Sequence, residues 1–296
     1  MNGGLLAFSG QEILAANLRS ALAVPEIALV TRDFPDGETY LRIDADVKGR
    51  NIAVLHTLHE PNPRFLPLAF VADTLRELGA ASVGLVAPYL AYMRQDARFM
   101  PGEAVTSVSF AGLVSRQFDW LVTVDPHLHR WHALSDIYTI PAQALQAAPL
   151  LAAWISAEVS DPFIIGPDEE SEQWVSGVAR AAGCPYQVLQ KLRSGDRDVQ
   201  VSRLQGDEWR TRTPVLVDDI ISSGHTLAQT VRQCRMAGSA PPVCVGVHGV
   251  FAPDALAALH QAGAGRIVTT NSIAHPSNAI DLSPLIAEAV IRFWQG

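Results

Sequence analysis

Residues Val215 to Thr226 read VLVDDIISSGHT: an apolar strand, two adjacent carboxylates, and a Ser-Ser-Gly-His-Thr loop that runs into a helix. Leu216 and its flanking valines suit a buried parallel strand, and Leu227, Val231 and Cys234 recur at helical spacing directly after the loop. The loop therefore sits at a helix N-terminus, where unpaired backbone N–H groups and the positive end of the helix dipole favour a phosphate. Ser222, Ser223 and Thr226 add hydroxyl donors, around Gly224 and His225. Asp218 and Asp219 are acceptors only, so they do not serve the phosphate; they suit the vicinal hydroxyls of a ribose, or a magnesium ion. An ordinary capped helix with a solvated acidic turn is the plainer alternative, and the weaker one.

Outward from this stretch, strand-like and helix-like segments alternate. IAVLHT is followed by an apolar helical face through Phe65, Leu68, Ala72 and Leu75; SVGLVAPY comes next, then a helix near Thr106 to Ser115, then WLVTVDP. After a Pro- and Ala-rich stretch around Pro141 to Pro149 the pattern restarts. A helix through Ala152 and Ile155 leads to PFIIGPD, a helix from about Glu172 to Ala182, the YQVLQ strand, PVLVDD, VCVGVHGVF and RIVTTNSI. This order predicts an α/β protein of two similar domains, each a mostly parallel sheet flanked by helices. The expected limits are 1–145 and 146–283, with 284–296 as a closing amphipathic helix in which Leu285, Ala289 and Phe293 share a face. The polar signals gather just past the strands, where open α/β sheets hold their ligands.

Bulk properties narrow the function. At 296 residues the chain exceeds what one core usually supports. The net charge of −8 argues against a general nucleic-acid or anionic-membrane surface, so any anion site has to be built locally. Cys184, Cys234 and Cys244 are widely spaced without a CxxC pair, which speaks against a disulfide framework or zinc site and for a reducing compartment. No segment reaches about 18 uninterrupted apolar residues and no secretory leader opens the chain, so a cytoplasmic protein with no membrane span is expected.

Four other clusters carry chemistry. In YMRQDAR, Arg94, Gln95, Asp96 and Arg98 follow a strand; arginine forks match phosphate oxygens and a glutamine amide suits an adenine edge. TVDPHLHRWH offers His127, His129 and His132, of which a single histidine placing a nucleotide-bound magnesium is favoured over a three-histidine zinc site. In IIGPDEESEQW, Asp168 is the carboxylate nearest the strand end, while some of Glu169, Glu170 and Glu172 serve the helix dipole. DFPDGETYLRI reads as a turn between two strands from which Phe34, Asp36 and Glu38 project. Of 22 basic residues only Lys48 and Lys191 are lysines; Lys48 lies in a polar turn, whereas Lys191 and Arg193 open a Gly- and Asp-containing hairpin loop.

The VLVDDIISSGHT stretch resembles the phosphoribosyl pyrophosphate (PRPP) loop shared by type I phosphoribosyltransferases and PRPP synthetases. Adding FPDGE at 34–38, PYLAYMRQDAR at 88–98, the DPH of 125–127, the GPD of 166–168, KLR at 191–193 and TTNSI at 269–273, the chain resembles the ribose-phosphate diphosphokinase (PRPP synthetase) family over nearly its full length. The resemblance implies transfer of the diphosphoryl group of ATP to the 1-hydroxyl of ribose 5-phosphate, with Mg2+ as cofactor. It assigns Asp218 and Asp219 to the ribose hydroxyls, Ser222 to Thr226 to the 5-phosphate, and Arg94, Gln95, Asp96 and Arg98 to ATP. Phe34, Asp36 and Glu38 would contribute to an adenine pocket, often in a neighbouring subunit; hence a homo-oligomer, a dimer or a hexamer of dimers, is expected. His127 and Asp168 match the magnesium-linked pair, and Lys191 and Arg193 the mobile catalytic pair. Ser222 and the EES after Asp168 look closer to the shorter archaeal-type members, while His225 departs from a position usually held by a small residue. A phosphoribosyltransferase that consumes PRPP, or a catalytically silent regulatory homologue, would be the alternatives.

Overall fold

The computed structural model describes the chain apart from residues 1, 129, 168–170, 190, 194–198, 202, 203 and 296, and apart from the side chains of 173, 191–193 and 199–201. It divides into two compact units: Met1–Leu145 with Ser272–Ala274 and Leu282–Gly296, and Gln146–Asn271 with His275–Asp281. Unit 1 contains β1 (Gly3–Ala7), α1 (Glu12–Leu22), β2 (Glu26–Ile27), β3 (Leu29–Asp33), β4 (Thr39–Ile43), β5 (Asn51–Leu55), α2 (Pro61–Glu77), β6 (Ser82–Ala87), α3 (Thr106–Gln117), β7 (Trp120–Val124) and β8 (Ala142–Leu145). Unit 2 contains α4 (Ala148–Glu158), β9 (Pro162–Gly166), α5 (Glu172–Ala182), β10 (Tyr186–Val188), β11 (Lys191–Arg193), β12 (Val199–Val201), β13 (Thr213–Ile221), α6 (His225–Met236), β14 (Val243–Gly249), α7 (Ala255–Ala262), β15 (Arg266–Thr270) and β16 (Asn278–Ile280). The last helix, α8 (Ser283–Gln295), belongs to unit 1 and packs on α1.

Each unit is a six-stranded parallel sheet, in the order β2-β1-β5-β6-β7-β8 in unit 1 and β10-β9-β13-β14-β15-β16 in unit 2. The two orders are the same once a hairpin is removed from each. β3 pairs antiparallel with β4, and β11 with β12, and each hairpin is inserted between the second and third strands of its sheet. Central strands such as β7 (WLVTV) and β14 (VCVGVHG) are buried along their whole length, as parallel strands covered on both faces must be.

Trp120 seats the final helix. Its indole stacks on Phe293 of α8 with centroids 4.9 Å apart and planes 5° from parallel, and its Nε1 donates to Ser82 Oγ at 3.2 Å. Gly84 makes room for that indole, since an added Cβ would overlap it. No helix among the described residues is long and apolar enough to cross a membrane.

Candidate functional site

The loop after β13 is an open cradle. β9 pairs with β13 only as far as Leu216, whereas β14 continues to pair through Ile221. Asp218 and Asp219 therefore lie inside β13, toward the end at which the sequence places them. Both are half-buried, and both have interactions within the protein. Loop shape follows from two staples to the next connection: Phe251 N–H to Ile221 O at 2.9 Å and Ala252 N–H to Ser222 O at 3.0 Å. Gly224 then takes a left-handed conformation (φ 69°), which a glycine adopts without a steric penalty, and α6 begins at His225. No acceptor is recorded among the described residues for the N–H groups of Ser222 to Thr226. Such donors at the positive end of a 12-residue helix have the polarity that favours an anion. Ser223 and His225 are exposed there, and Ser222 and Thr226 half-buried.

The deep side of the cradle is inert. Burial first, then the nearby Cys234 and Asp218, pushes the Cys244 thiol up to about 12, and burial raises Cys234 to a similar value. Cys184, Cys234 and Cys244 are all unpaired.

Unit 1 gathers its cations in the loops after β6 and β7. Arg94, Gln95 and Arg98 are exposed. Gln95 is fixed from both ends, its carbonyl accepting from Ser107 N–H at 3.3 Å and its Oε1 from Thr106 Oγ1 at 3.0 Å. Arg98 Nε donates to Glu103 O at 2.8 Å, while the Glu103 carboxylate is occupied by the N–H groups of Phe99 and Met100. Asp96 is buried instead, and its carboxylate accepts from Arg130 Nη1 at 2.7 Å. Sequence reasoning passed over Arg130; the only available signal was a basic residue in the polar segment after β7. An apolar hollow of about 260 Å³ lies beside this loop, lined by Phe65, Tyr92, Thr106 and Phe110 among others.

The β3–β4 hairpin carries Phe34, Asp36 and Glu38 in its tip, all exposed, closed by Phe34 N–H to Glu38 O at 2.7 Å and by Gly37 at φ 88°. Arg32 lies over both the Phe34 and Tyr40 rings, at 4.6 and 4.5 Å. Lys191 and Arg193 lie on β11, their backbones paired with Val201 and Val199; their side chains, like Asp168, fall outside the described residues. His127 is half-buried and engaged within the protein, two residues after Asp125, whose φ of 34° turns the chain off β7. Among the described residues no group of three His, Cys, Asp or Glu side chains forms a ready metal cage. A sparse donor set fits magnesium carried on a nucleotide, because that ion keeps waters and phosphate oxygens and needs only one or two protein ligands.

Two parallel six-stranded units of the same strand order define a protein of the phosphoribosyltransferase-fold class. The N-terminal domain of ribose phosphate pyrophosphokinase matches residues 4–116, and the phosphoribosyl transferase domain matches residues 134–284. The chain belongs to the ribose-phosphate pyrophosphokinase family. It is 32% identical to the ribose-phosphate pyrophosphokinase of Methanothermobacter thermautotrophicus over 287 residues, 97% of this chain and 99% of that protein. Identity to the Methanopyrus kandleri ribose-phosphate pyrophosphokinase is 34% over 269 residues, 90% of this chain and 91% of that one. The crystal structure of phosphoribosylpyrophosphate synthetase from Mycobacterium smegmatis superposes with a TM-score of 0.86 at 25% identity, covering 100% of this chain and 99% of that chain.

Proposed function

We propose that this chain is a ribose-phosphate diphosphokinase: it transfers the diphosphoryl group of Mg-ATP to the 1-hydroxyl of ribose 5-phosphate, giving PRPP and AMP. The observation that carries the acceptor side is the cradle, five consecutive backbone N–H groups with no acceptor recorded among the described residues, three residues after the second of two half-buried carboxylates. Ser222, Ser223, Gly224, His225 and Thr226 hold the 5-phosphate, and Asp218 and Asp219 accept hydrogen bonds from the ribose hydroxyls. Arg94, Gln95 and Arg98 contact the nucleotide and the buried Asp96 supports that site through Arg130, with Phe34, Asp36 and Glu38 completing an adenine pocket in a homo-oligomer, either a dimer or a hexamer built from dimers. The protein works in the cytoplasm.

In the reaction the ribose 1-oxygen forms a bond to the β-phosphorus of ATP. The bond from that phosphorus to the oxygen bridging the α-phosphate breaks, AMP leaves with that oxygen, and the 1-hydroxyl proton is released. Charge accumulates on the equatorial and leaving oxygens, so the protein contributes position and cations more than covalent chemistry. Lys191 and Arg193, on the inserted hairpin, supply those cations and exclude water that would otherwise take the diphosphoryl group. His127 and Asp168 would hold Mg2+, which when bound neutralises phosphate charge.

The test is purified protein with magnesium, ATP and ribose 5-phosphate, followed for AMP and PRPP. AMP formation that depends on the sugar is expected. Base-dependent pyrophosphate release from supplied PRPP would make the chain a phosphoribosyltransferase. Absence of turnover together with binding to an active homologue would make it a silent regulatory partner.

A further inference from the structure

Asp96 and Arg130 come from different loops, 34 residues apart in the chain. The Asp96 side chain is 3% exposed and the Arg130 side chain 53%. A buried carboxylate already committed to one arginine is poorly placed to meet a polyphosphate, which it would also repel. Arg130 is accessible and uses a single N–H on Asp96, and no other acceptor is recorded for it among the described residues. Its guanidinium carbon lies 5.0 Å from the centroid of Phe99, an aromatic ring 70% exposed. The next residue is anchored too, Trp131 Nε1 donating to Ser107 Oγ at 3.3 Å. Fixed by a charged partner and an aromatic face, the side chain has already lost much of an entropy worth about 2 kcal/mol in a free arginine. Arg94 and Arg98 are exposed in the Asp96 loop, and His127 is three residues before Arg130.

We infer that Arg130 binds the phosphate chain of the nucleoside triphosphate, and that Asp96 is its positioning residue rather than a nucleotide contact. The inference rests on the diphosphokinase reading. The four donors left on the guanidinium offer the planar fork that suits phosphate oxygens.

Steady-state kinetics of Arg130→Gln, Arg130→Lys, Asp96→Asn and the Arg130→Gln/Asp96→Asn double variant test it, with thermal unfolding and equilibrium binding of ATP measured alongside. Arg130→Gln is expected to raise the KM and Kd for ATP by roughly tenfold, the scale of one lost hydrogen bond to a charged group, and to leave the KM for ribose 5-phosphate unchanged, while the Tm falls because the buried carboxylate loses its ion pair. Arg130→Lys recovers part of the loss, because it restores the charge without the fork. Asp96→Asn shifts the same constants in the same direction, and adds little in the Arg130→Gln background, as groups acting through one contact do. Unchanged ATP binding in Arg130→Gln, an equal rise in both KM values, or full additivity of the two substitutions would overturn the inference. A lower Tm with normal ATP binding would also overturn it, assigning the pair to stability. If the wild type forms no PRPP, the diphosphokinase reading fails by itself, and ATP binding to Arg130→Gln still decides the role of Arg130.

Discussion

The third sheet strand of each unit ends in a turn and a helix, β5 into α2 and β13 into α6, and the two corners share a backbone while differing in chemistry. In both, the residue before the helix is left-handed, Glu60 at φ 52° and Gly224 at φ 69°. In unit 2 the following positions carry N–H groups for which no acceptor is recorded among the described residues. In unit 1 the helix opens Pro61-Asn62-Pro63, so two of those donors do not exist, and the residue before it, Glu60, is acidic. The unit 1 corner is filled from within: His56 stacks on Phe8 with centroids 4.0 Å apart, and Gln11 Oε1 accepts from Thr57 N–H at 3.0 Å. One corner has the backbone of the proposed phosphate cradle and the other is a packed joint. What separates them is which backbone donors remain available, more than the path of the chain.

The hairpins sharpen that contrast most strongly, since they are inserted at equivalent points and carry opposite charge. Lys191→Ala should fold normally and lose on the order of 10² to 10³ in turnover, as removal of a transition-state donor does; near-normal kcat would remove the catalytic role from the unit 2 hairpin. At the cradle, Asp218→Asn should raise the KM for ribose 5-phosphate roughly tenfold or more, because a hydrogen bond to a charged acceptor contributes about 1.5–3 kcal/mol. A KM for ATP that rises equally would mean that Asp218 is not a sugar contact.

The filled corner has its own signature, in acid. Burial, then the charge of Arg64 and the neighbouring His59, lowers His56 to about 3, and His59 is lowered in the same sense, by burial first. Between that value and the ordinary one near 6.5 the unfolded chain binds the proton and the folded chain does not. The stabilisation from a neutral His56 is therefore complete above about pH 6.5 and declines as pH falls toward 3, with a loss on the order of 2 kcal/mol by pH 5. Urea unfolding at pH 7.5 and 5 should show this loss in the wild type and much less of it in His56→Asn; equal losses would contradict the assignment.

The smallest effect probes the left-handed residues. Glu60→Gly should stabilise the protein by roughly 0.5–1 kcal/mol, the relief of a left-handed side chain less the added chain entropy, which denaturant midpoints would resolve. It should create no phosphate affinity in unit 1, since Pro61 and Pro63 remain. Detectable phosphate binding at that corner would show that the donors matter less than the carboxylate.

The cradle was legible because strand, loop and helix follow one another in twelve residues, each with its own local pattern from Val215 to Thr226. The alternation of strands and helices likewise gave two parallel α/β units. What escaped depends on distant parts of the chain. Asp218 and Asp219 read as the end of a strand, but β13 runs on to Ile221 because β14 continues to pair beside it, and no residue in β13 encodes its neighbour's length. Asp96 read as an ATP contact, and its burial against Arg130 was not legible because that partner is 34 residues along the chain. The left-handed turn at Glu60 carries no sequence mark, since glutamate is not a residue that prefers it.

The seat of α8 on Trp120 and α1 bears on how the chain is made. Unit 2 is threaded between the last strand of unit 1 and the helix that completes it. At a synthesis rate of about 5–20 residues per second, the unit 1 sheet waits on the order of ten seconds for its final helix, with the Trp120 face uncovered throughout. During that interval all of unit 2 is synthesised, so the helix that covers the Trp120 face is made only after the last strand of the other unit.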